Sequence, residues 1–122
     1  MSAGDRLDRK RRSERKGRRA EVLAALVLML KGYRIVSLRY RTPVGEIDIV
    51  ARKRDLVAFV EVKARRDLAA GVDAVSYPAQ RRIAAAGELF ISRQRDSARL
   101  SWRCDIVVVS PWRWPVHLED AF

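Results

Sequence analysis

The sequence has very few of the side chains on which many metal and redox sites depend. Its 122 residues include one cysteine, Cys104, and one histidine, His117. A single cysteine excludes an intrachain disulfide and a cysteine zinc cluster, and a single histidine excludes a metal site built on several histidines. We expect Cys104 to be an inert buried thiol and His117 to be a packing residue, so neither predicts catalysis.

The sequence also lacks an apolar segment long enough to cross a bilayer. The apolar stretch Val22–Leu30 has nine residues, whereas a spanning helix needs about 20. It follows a long basic stretch, and no small-residue cleavage site comes after it, so a signal peptide is not predicted. We therefore expect a soluble cytoplasmic protein that does not act at a membrane.

Acidic residues are outnumbered by basic ones, 15 against 26, which gives a net charge of +11. Residues 1–19 hold nine Lys or Arg and three acidic residues, a net of +6, which leaves +5 for the remaining chain. This excess favours a polyanionic partner such as nucleic acid, because neutralised phosphates release condensed counterions. A solubilising surface charge and affinity for an anionic membrane are the alternatives.

The length and the 48% hydrophobic content suit one compact domain with a buried core. Residues 1–18 are interpreted as a flexible basic arm and residues 19–122 as a single domain. Apolar spacings of three and four predict a helix over Glu14–Lys31, which Gly32 ends. Ser76 is expected to cap a second helix that runs to about Ser92.

Alternating or continuous apolar patterns predict four strands and a short fifth one at the edge. These segments are Tyr33–Arg41, Glu46–Arg52, Leu56–Ala64, Trp102–Val109 and Val116–Leu118, with a loop over Arg65–Val75. The expected fold class is α/β, a mixed β-sheet flanked by α-helices.

The hairpin that joins the segments Glu46–Arg52 and Leu56–Ala64 carries the most informative group of charged residues. Glu61 and Lys63 are two positions apart on a strand, so their side chains share one face. Symmetric pairing about the tight polar turn Lys53-Arg54-Asp55 places Asp48 opposite Glu61 and Glu46 opposite Lys63. Two opposed carboxylates on an apolar hairpin repel each other and need a cation to hold them there.

That cation is either Lys63 or a divalent metal ion. Mg²⁺ prefers carboxylate and other oxygen ligands, which suits Asp48, Glu61 and the backbone carbonyl of Val62. A lysine beside the metal could orient or deprotonate the attacking water. The alternative is a purely structural hairpin, with Glu61 paired to Lys63 or Arg52 and Asp48 paired to a neighbouring arginine.

Asp48 with Glu61-Val62-Lys63 resembles the PD-(D/E)xK nuclease motif, although the motif's proline is missing before Asp48. With its surroundings, the chain resembles the YraN family of predicted endonucleases, distant relatives of archaeal Holliday-junction resolvases. The resemblance extends from about Arg19 to the last residue; besides Asp48 and Glu61–Lys63, its main segments are Ala20-Glu21, Gly45–Val50, Phe59–Arg65, Gln80–Ile83, Arg103–Val107 and His117–Phe122.

The resemblance implies a restriction-endonuclease-like fold, with metal held by Asp48 and Glu61 and with Lys63 at the attacking water. It also implies that Glu21 lies near the metal and that Gln80 supports the site. For Glu21, a favourable position near the helix start is the alternative; for Gln80, it is hydrogen bonding to the backbone. The implied activity is Mg²⁺- or Mn²⁺-dependent hydrolysis of DNA, in preference to RNA, and a resolvase-like activity would call for a homodimer.

Two further groups of residues suggest contacts with nucleic acid. Four arginines just beyond the proposed site are candidate phosphate contacts, with a solvated surface as the alternative: Arg65, Arg66, Arg81 and Arg82. Trp102, Trp112 and Trp114 could stack on bases, although tryptophans at strand ends and in loops more often pack against a sheet edge. A non-catalytic nucleic-acid-binding module on the same fold is the alternative to an enzyme.

Overall fold

The computed structural model describes residues 2–122, which form one five-stranded sheet with helices on both faces. The strands lie in the order in which they occur in the chain: β1 (Arg34–Thr42), β2 (Gly45–Lys53), β3 (Leu56–Ala64), β4 (Ser101–Val109) and β5 (Val116–Leu118). The pair β3–β4 is parallel and the other three neighbouring pairs are antiparallel. This mixed α/β architecture confirms the expected fold class and is consistent with a restriction-endonuclease-like fold.

Three α-helices and one 3₁₀ turn complete the fold. The helices are α1 (Ala3–Leu30), α2 (Leu68–Asp73) and α3 (Tyr77–Ser92), and the turn is Ser97–Arg99. Helices α2 and α3 and the turn lie between β3 and β4, which is the long crossover that parallel strands require.

The core has two layers, one on each face of the sheet. On the first face, α1 packs Ala20, Ala24 and Leu28 against Ile49 and Val60 of the sheet. On the second face, α3 packs its apolar side chains against alternate residues of the same strands; these include Ile83, Ala86, Phe90, Val57 and Phe59. Strand β3 is thus covered on both faces, which explains its almost continuous apolar sequence.

Helix α3 lies unusually close to the sheet at two glycines. A Cβ atom at Gly87 would lie 2.6 Å from the ring of Phe59, and one at Gly45 would lie 2.6 Å from the carbonyl oxygen of Arg82. Side chains larger than hydrogen would therefore push the helix outward. The contact between Gly45 and Arg82 places the first half of α3 over the open end of the β2–β3 hairpin, away from its tight turn.

Most of the elements that the sequence predicts are confirmed to within about one residue. Ser76 caps α3, since its hydroxyl accepts a hydrogen bond from the Ala79 N–H at 3.3 Å. The loop prediction for Arg65–Val75 is wrong in part, because it contains α2, which Asp67 caps through the Ala70 N–H at 2.8 Å. A helix of six residues is too short to show apolar periodicity.

The predicted start of α1 is also wrong, because the helix begins at Ala3 and not at Glu14. Ser2 and Asp5 form a capping box at its first turn, and the Arg- and Lys-rich segment that follows favours helix without needing an apolar face. Residues 3–18 are therefore helical, while the interpretation of residues 1–18 as a flexible arm and of residues 19–122 as a single domain stays a prediction. The end at Gly32 is confirmed, since its φ of +95° allows the chain to turn away.

The outward side of α1 leaves several apolar side chains exposed. They include Val22, Leu23, Leu26, Met29 and Leu30, whereas Ala24 and Leu28 are completely buried. Within residues 2–122, no helix has both the length and the apolar character needed to traverse a bilayer. The apolar residues of α1 thus extend beyond the side that packs on the sheet.

Candidate active site

The charged residues of the second hairpin line one cavity of about 340 Å³ between the sheet and the start of α3. Its lining residues come from β2, β3, the segment before α3 and α3 itself: Glu46, Asp48, Glu61, Lys63, Val75, Ala79, Arg82 and Ile83. The structure therefore brings Asp48, Glu61 and Lys63 together, on the face of the sheet that α3 covers.

The cavity opens where β2 and β3 stop pairing. Their antiparallel ladder has the register expected from the tight turn, but its last pair is Ile49 with Val60. One position further on, the Asp48 carboxylate accepts a hydrogen bond from the Val62 N–H at 2.8 Å, so a side chain takes the place of a backbone acceptor. The regular ladder thus ends one pair before Asp48 and Glu61.

The expected pairing of Glu46 with Lys63 is not formed. The Glu46 carboxylate lies 3.6 Å from the Arg41 guanidinium, across the β1–β2 hairpin, although Glu46 still lines the cavity. Because the β2–β3 strands have already separated at this point, register alone could not predict which cation Glu46 would meet.

The surroundings of the Glu61 side chain disfavour its ionised form. Burial removes most of its hydration, and the nearby carboxyl group of Asp48 adds to this effect, so together they raise the pKa of Glu61 to about 8. The Lys63 ammonium, 3.6 Å from the Glu61 carboxylate, opposes the shift without cancelling it. Only 15% of the Glu61 side chain and 25% of the Lys63 side chain are exposed, so water screens this group weakly.

Glu21 lies in a neighbouring groove and not in this cavity. Its carboxylate accepts a hydrogen bond from the Arg39 Nε at 3.1 Å, and the groove also contains Arg18 and Arg41. Glu46 lines both the groove and the cavity, so the two adjoin each other. Among residues 2–122, no three His, Cys, Asp or Glu side chains are grouped closely enough to hold a metal ion.

Gln80 supports a wall of the cavity through the backbone. Its side-chain amide donates a hydrogen bond to the carbonyl oxygen of Val75 at 3.1 Å, and Val75 lines the cavity. This contact ties the first turn of α3 to the chain that enters it. Gln80 itself is not among the residues that line the cavity.

Of the four candidate phosphate-binding arginines, one lies at the cavity itself. Arg82 lines it, while Arg65, Arg66 and Arg81 are exposed on the chain that leaves β3 and on α3. Arg66 lies 3.4 Å from Asp67, and Arg81 lies over the ring of Tyr77 at 5.9 Å from its centre. Of the four arginines, only Arg82 therefore contributes a positive charge to the lining of the cavity.

Sequence reasoning missed a second polar group, which is centred on Asp105 of β4. This carboxylate is completely buried and accepts hydrogen bonds from Arg103 Nε, His117 Nε2 and the backbone N–H of Asp120, all at 2.8 to 2.9 Å. The Arg103 guanidinium also donates to the Tyr33 hydroxyl. His117 is therefore a polar contact of the core, and the signal that could have revealed it was an aspartate beside the apolar residues Ile106–Val109 of β4.

Comparison with known proteins gives a consistent result. Residues 20–109 match the family model described as "Uncharacterised protein family UPF0102". A UPF0102 protein of Rhizobium meliloti is 63% identical over 93% of this chain and 93% of its own length. Those of Chelativorans sp. and Mesorhizobium japonicum are 58% and 56% identical, over 100% and 93% of this chain and 98% and 90% of their own lengths. The chain therefore belongs to the UPF0102 family.

Proposed function

We propose that this protein is a metal-dependent endonuclease that hydrolyses phosphodiester bonds of nucleic acid, with DNA as the favoured substrate. The observation that carries the proposal is the group formed by Asp48, Glu61 and Lys63, two adjacent carboxylates and an ammonium in one cavity that Arg82 also lines. The resemblance to the PD-(D/E)xK motif and to the YraN family supports the same activity.

The donor set at the cavity suits a hard divalent cation. Asp48 and Glu61 supply carboxylate oxygens, and the raised pKa of Glu61 means that a bound proton neutralises part of the pair at neutral pH. A divalent ion could replace that proton, as metal binding to carboxylates generally does. Mg²⁺ or Mn²⁺ bound there would offset negative charge at the scissile phosphate.

The Val62 carbonyl is a further candidate ligand. The N–H and C=O groups of one strand residue point to the same side, and the Val62 N–H points towards Asp48. Its carbonyl therefore also points towards β2, beyond the last backbone pair. Glu21 completes the proposed ligand set only through the resemblance, since here its carboxylate is paired with Arg39.

The remaining residues of the cavity have separate proposed roles. Lys63 would position the attacking water, because its ammonium is held beside Glu61 by their 3.6 Å contact. Arg82 would bind the phosphate at the cavity, and Arg65, Arg66 and Arg81 would bind flanking phosphates. Gln80 would keep the Val75 wall in place.

A non-catalytic nucleic-acid-binding module is the second candidate. The observation that favours it is that two of the proposed site carboxylates already have cationic partners within the protein: Glu61 has Lys63 and Glu21 has Arg39. A net charge of +11 would by itself provide affinity for a polyanion. Pure binding, however, gives no reason for two adjacent carboxylates in one cavity of a chain with this net positive charge.

Cleavage assays separate the two candidates. Purified protein is incubated with linear duplex, single-stranded and four-way-junction DNA, with Mg²⁺, with Mn²⁺ and with a chelator. We expect cleavage only with metal, and a decrease of at least about 100-fold in Glu61→Ala and in Lys63→Ala, the usual scale for loss of acid–base catalysis. Glu88→Ala, which removes an exposed carboxylate of α3, is the matched control and should cleave like the wild type.

Two results would contradict the proposal. Cleavage that persists in both Glu61→Ala and Lys63→Ala would place the reaction elsewhere. Binding of all three DNAs without cleavage under any metal condition would favour the non-catalytic module.

A further inference from the structure

Two tryptophans on the loop between β4 and β5 are held out into solvent. The Trp112 side chain is fully exposed, and Trp114 is 70% exposed. The expectation that loop tryptophans pack against the sheet edge is therefore wrong for both. Trp102 does pack, with its ring centre 5.6 Å from that of Phe59. Exposing two large aromatic rings to water is costly unless a partner covers them.

The backbone of this loop is strained at its first tryptophan, Trp112. Trp112 has a φ of +60°, a left-handed conformation that bulky side chains rarely adopt. Prolines flank the pair, at Pro111 and Pro115, and restrict the loop further. Strained backbone that presents an exposed side chain is more common at binding sites than elsewhere.

The groove beside the loop is lined mainly by apolar residues, and its charged residues are cationic. It has a volume of about 420 Å³ and is lined by Arg19, Ala20, Leu23, Ala64, Val109, Ser110, Pro111, Trp112, Arg113 and Trp114. Its two charged residues, Arg19 and Arg113, are both arginines, which suit phosphate oxygens better than lysines do. No acidic side chain is among its lining residues.

The loop also lies at the end of the sheet where the candidate active site opens. Val109 is the last residue of β4 and pairs with Ala64, the residue that follows Lys63. The Arg65 N–H then donates to the Val109 carbonyl at 3.1 Å, which holds the two departing chains side by side. The groove lies on the α1 face of the sheet and the cavity on the α3 face, so a polynucleotide that reaches both must pass round this end of the sheet, at Arg65.

We propose that Trp112 and Trp114, with Arg113 and Arg19, form a stacking subsite for unpaired nucleotides. Aromatic rings that alternate with cations match single-stranded nucleic acid, whose bases stack on the rings while its phosphates meet the arginines. The substrate class is then DNA with a single-stranded segment next to the cleaved bond. That link to cleavage rests on the proposed endonuclease function, whereas the binding itself does not.

The test measures binding in a chelator, so that it is independent of catalysis. The fluorescence anisotropy of a labelled 20-nucleotide oligothymidine and of a blunt duplex of equal length reports the two affinities. We expect Trp112→Ala/Trp114→Ala to bind the single strand at least about tenfold more weakly and the duplex within about twofold of the wild type. Trp112→Phe/Trp114→Phe, which keeps two stacking rings, should recover most of the affinity.

A second readout follows the loop directly. The chain has three tryptophans, so Trp102→Phe leaves Trp112 and Trp114 as the only sources of tryptophan fluorescence. Stacked bases should quench the fluorescence of this variant when oligothymidine is added, and the duplex should quench it much less. Equal quenching by both DNAs, or none with the single strand, would overturn the proposal.

Other occupants of the groove give different results. Single-strand affinity that is unchanged in the double alanine variant overturns the subsite, whatever cleavage assays show. If that variant instead loses binding to vesicles of phosphatidylglycerol and phosphatidylcholine, the surface is a membrane contact. If it converts a dimer to a monomer in sedimentation, the surface is an interface between copies of the chain. Loss of cleavage in Glu61→Ala with single-strand binding intact would leave the subsite standing.

Discussion

The folded structure disfavours the ionised form of Glu61, so the stability of the protein depends on pH at this residue. Its pKa is raised from an ordinary 4.5 to about 8 because it is buried and lies beside Asp48. The folded protein therefore binds this proton more tightly than the unfolded chain does. Stability from this position is fully present below about pH 4.5 and is lost progressively as the pH rises to about 8.

Replacing this glutamate by a neutral isostere should therefore stabilise the metal-free protein in alkali. In a chelator, we expect Glu61→Gln to melt near the wild type at pH 5 and about 5 °C above it at pH 9, a shift that corresponds to roughly 1 kcal/mol or more. Thermal melts across this pH range measure the difference. Glu88→Gln, at an exposed position of α3, is the control, and a constant difference between Glu61→Gln and wild type at all pH values would contradict the prediction.

Among the elements, β4 and β5 are joined to α1 and β1 by the Asp105 group. The Lys31 ammonium, just after α1, donates to His117 Nδ1 at 2.7 Å, and His117 Nε2 lies 2.8 Å from Asp105. A lysine ammonium only donates, so Nδ1 accepts and Nε2 carries the proton that is given to Asp105. Arg103, the other partner of Asp105, donates a hydrogen bond to the hydroxyl of Tyr33, the residue just before β1.

Removing the charge at the centre of this group should destabilise the fold strongly. Asp105→Asn leaves Arg103 without its buried counter-ion, and we expect the free energy of unfolding to fall by about 3 kcal/mol at pH 7. Urea denaturation measures it. The matched control, Asp73→Asn at an exposed position of α2, should change the same quantity by less than about 0.5 kcal/mol.

The same variant should alter the response to acid. Burial alone would raise the pKa of Asp105, but the hydrogen bonds from His117 and Arg103 outweigh it and lower the pKa below its ordinary value. The stabilisation by Asp105 is thus present at neutral pH and is lost as the pH falls through the pKa of the folded state. The difference between wild type and Asp105→Asn should shrink in acid; a difference that grows there would refute this role.

On the scale of the whole molecule, positive charge is concentrated at the start of α1. Residues 1–12 contain five basic and two acidic residues, and residues 3–12 form more than two turns of helix with exposed side chains. The helix continues into the part of α1 that packs on the sheet, so it holds these charges at one end of the molecule. Such an extension suits non-specific contact with nucleic-acid phosphates.

Deleting residues 1–12 should weaken duplex binding and reduce its dependence on salt. We expect the slope of log K against log salt to become shallower by about 2 to 4, since each released phosphate contact contributes about 0.9. Anisotropy titrations at several salt concentrations measure the slope in a chelator. A control in which Arg6, Arg9, Arg11 and Arg12 all become lysine keeps the charge and should keep the slope, whereas an unchanged slope after deletion would show that the segment makes no such contact.

Much of the fold followed from local sequence. Strand β3 was predicted with its observed bounds, and Ser76 and Gly32 marked the start of α3 and the end of α1, because alternation and capping depend on neighbouring residues. The closeness of Asp48, Glu61 and Lys63 was also accessible from the sequence. All three belong to one hairpin, whose tight turn fixes the register.

Only the tertiary structure decided how distant segments meet. It ended the β2–β3 ladder before Asp48, paired Glu21 with Arg39, joined Asp105 to His117 and turned Trp112 and Trp114 into solvent. The sequence determined the hairpin that carries the carboxylates because every residue concerned lies within one turn and its two strands. It could not determine these other contacts, because each depends on the packing of helices and strands that are far apart in the chain.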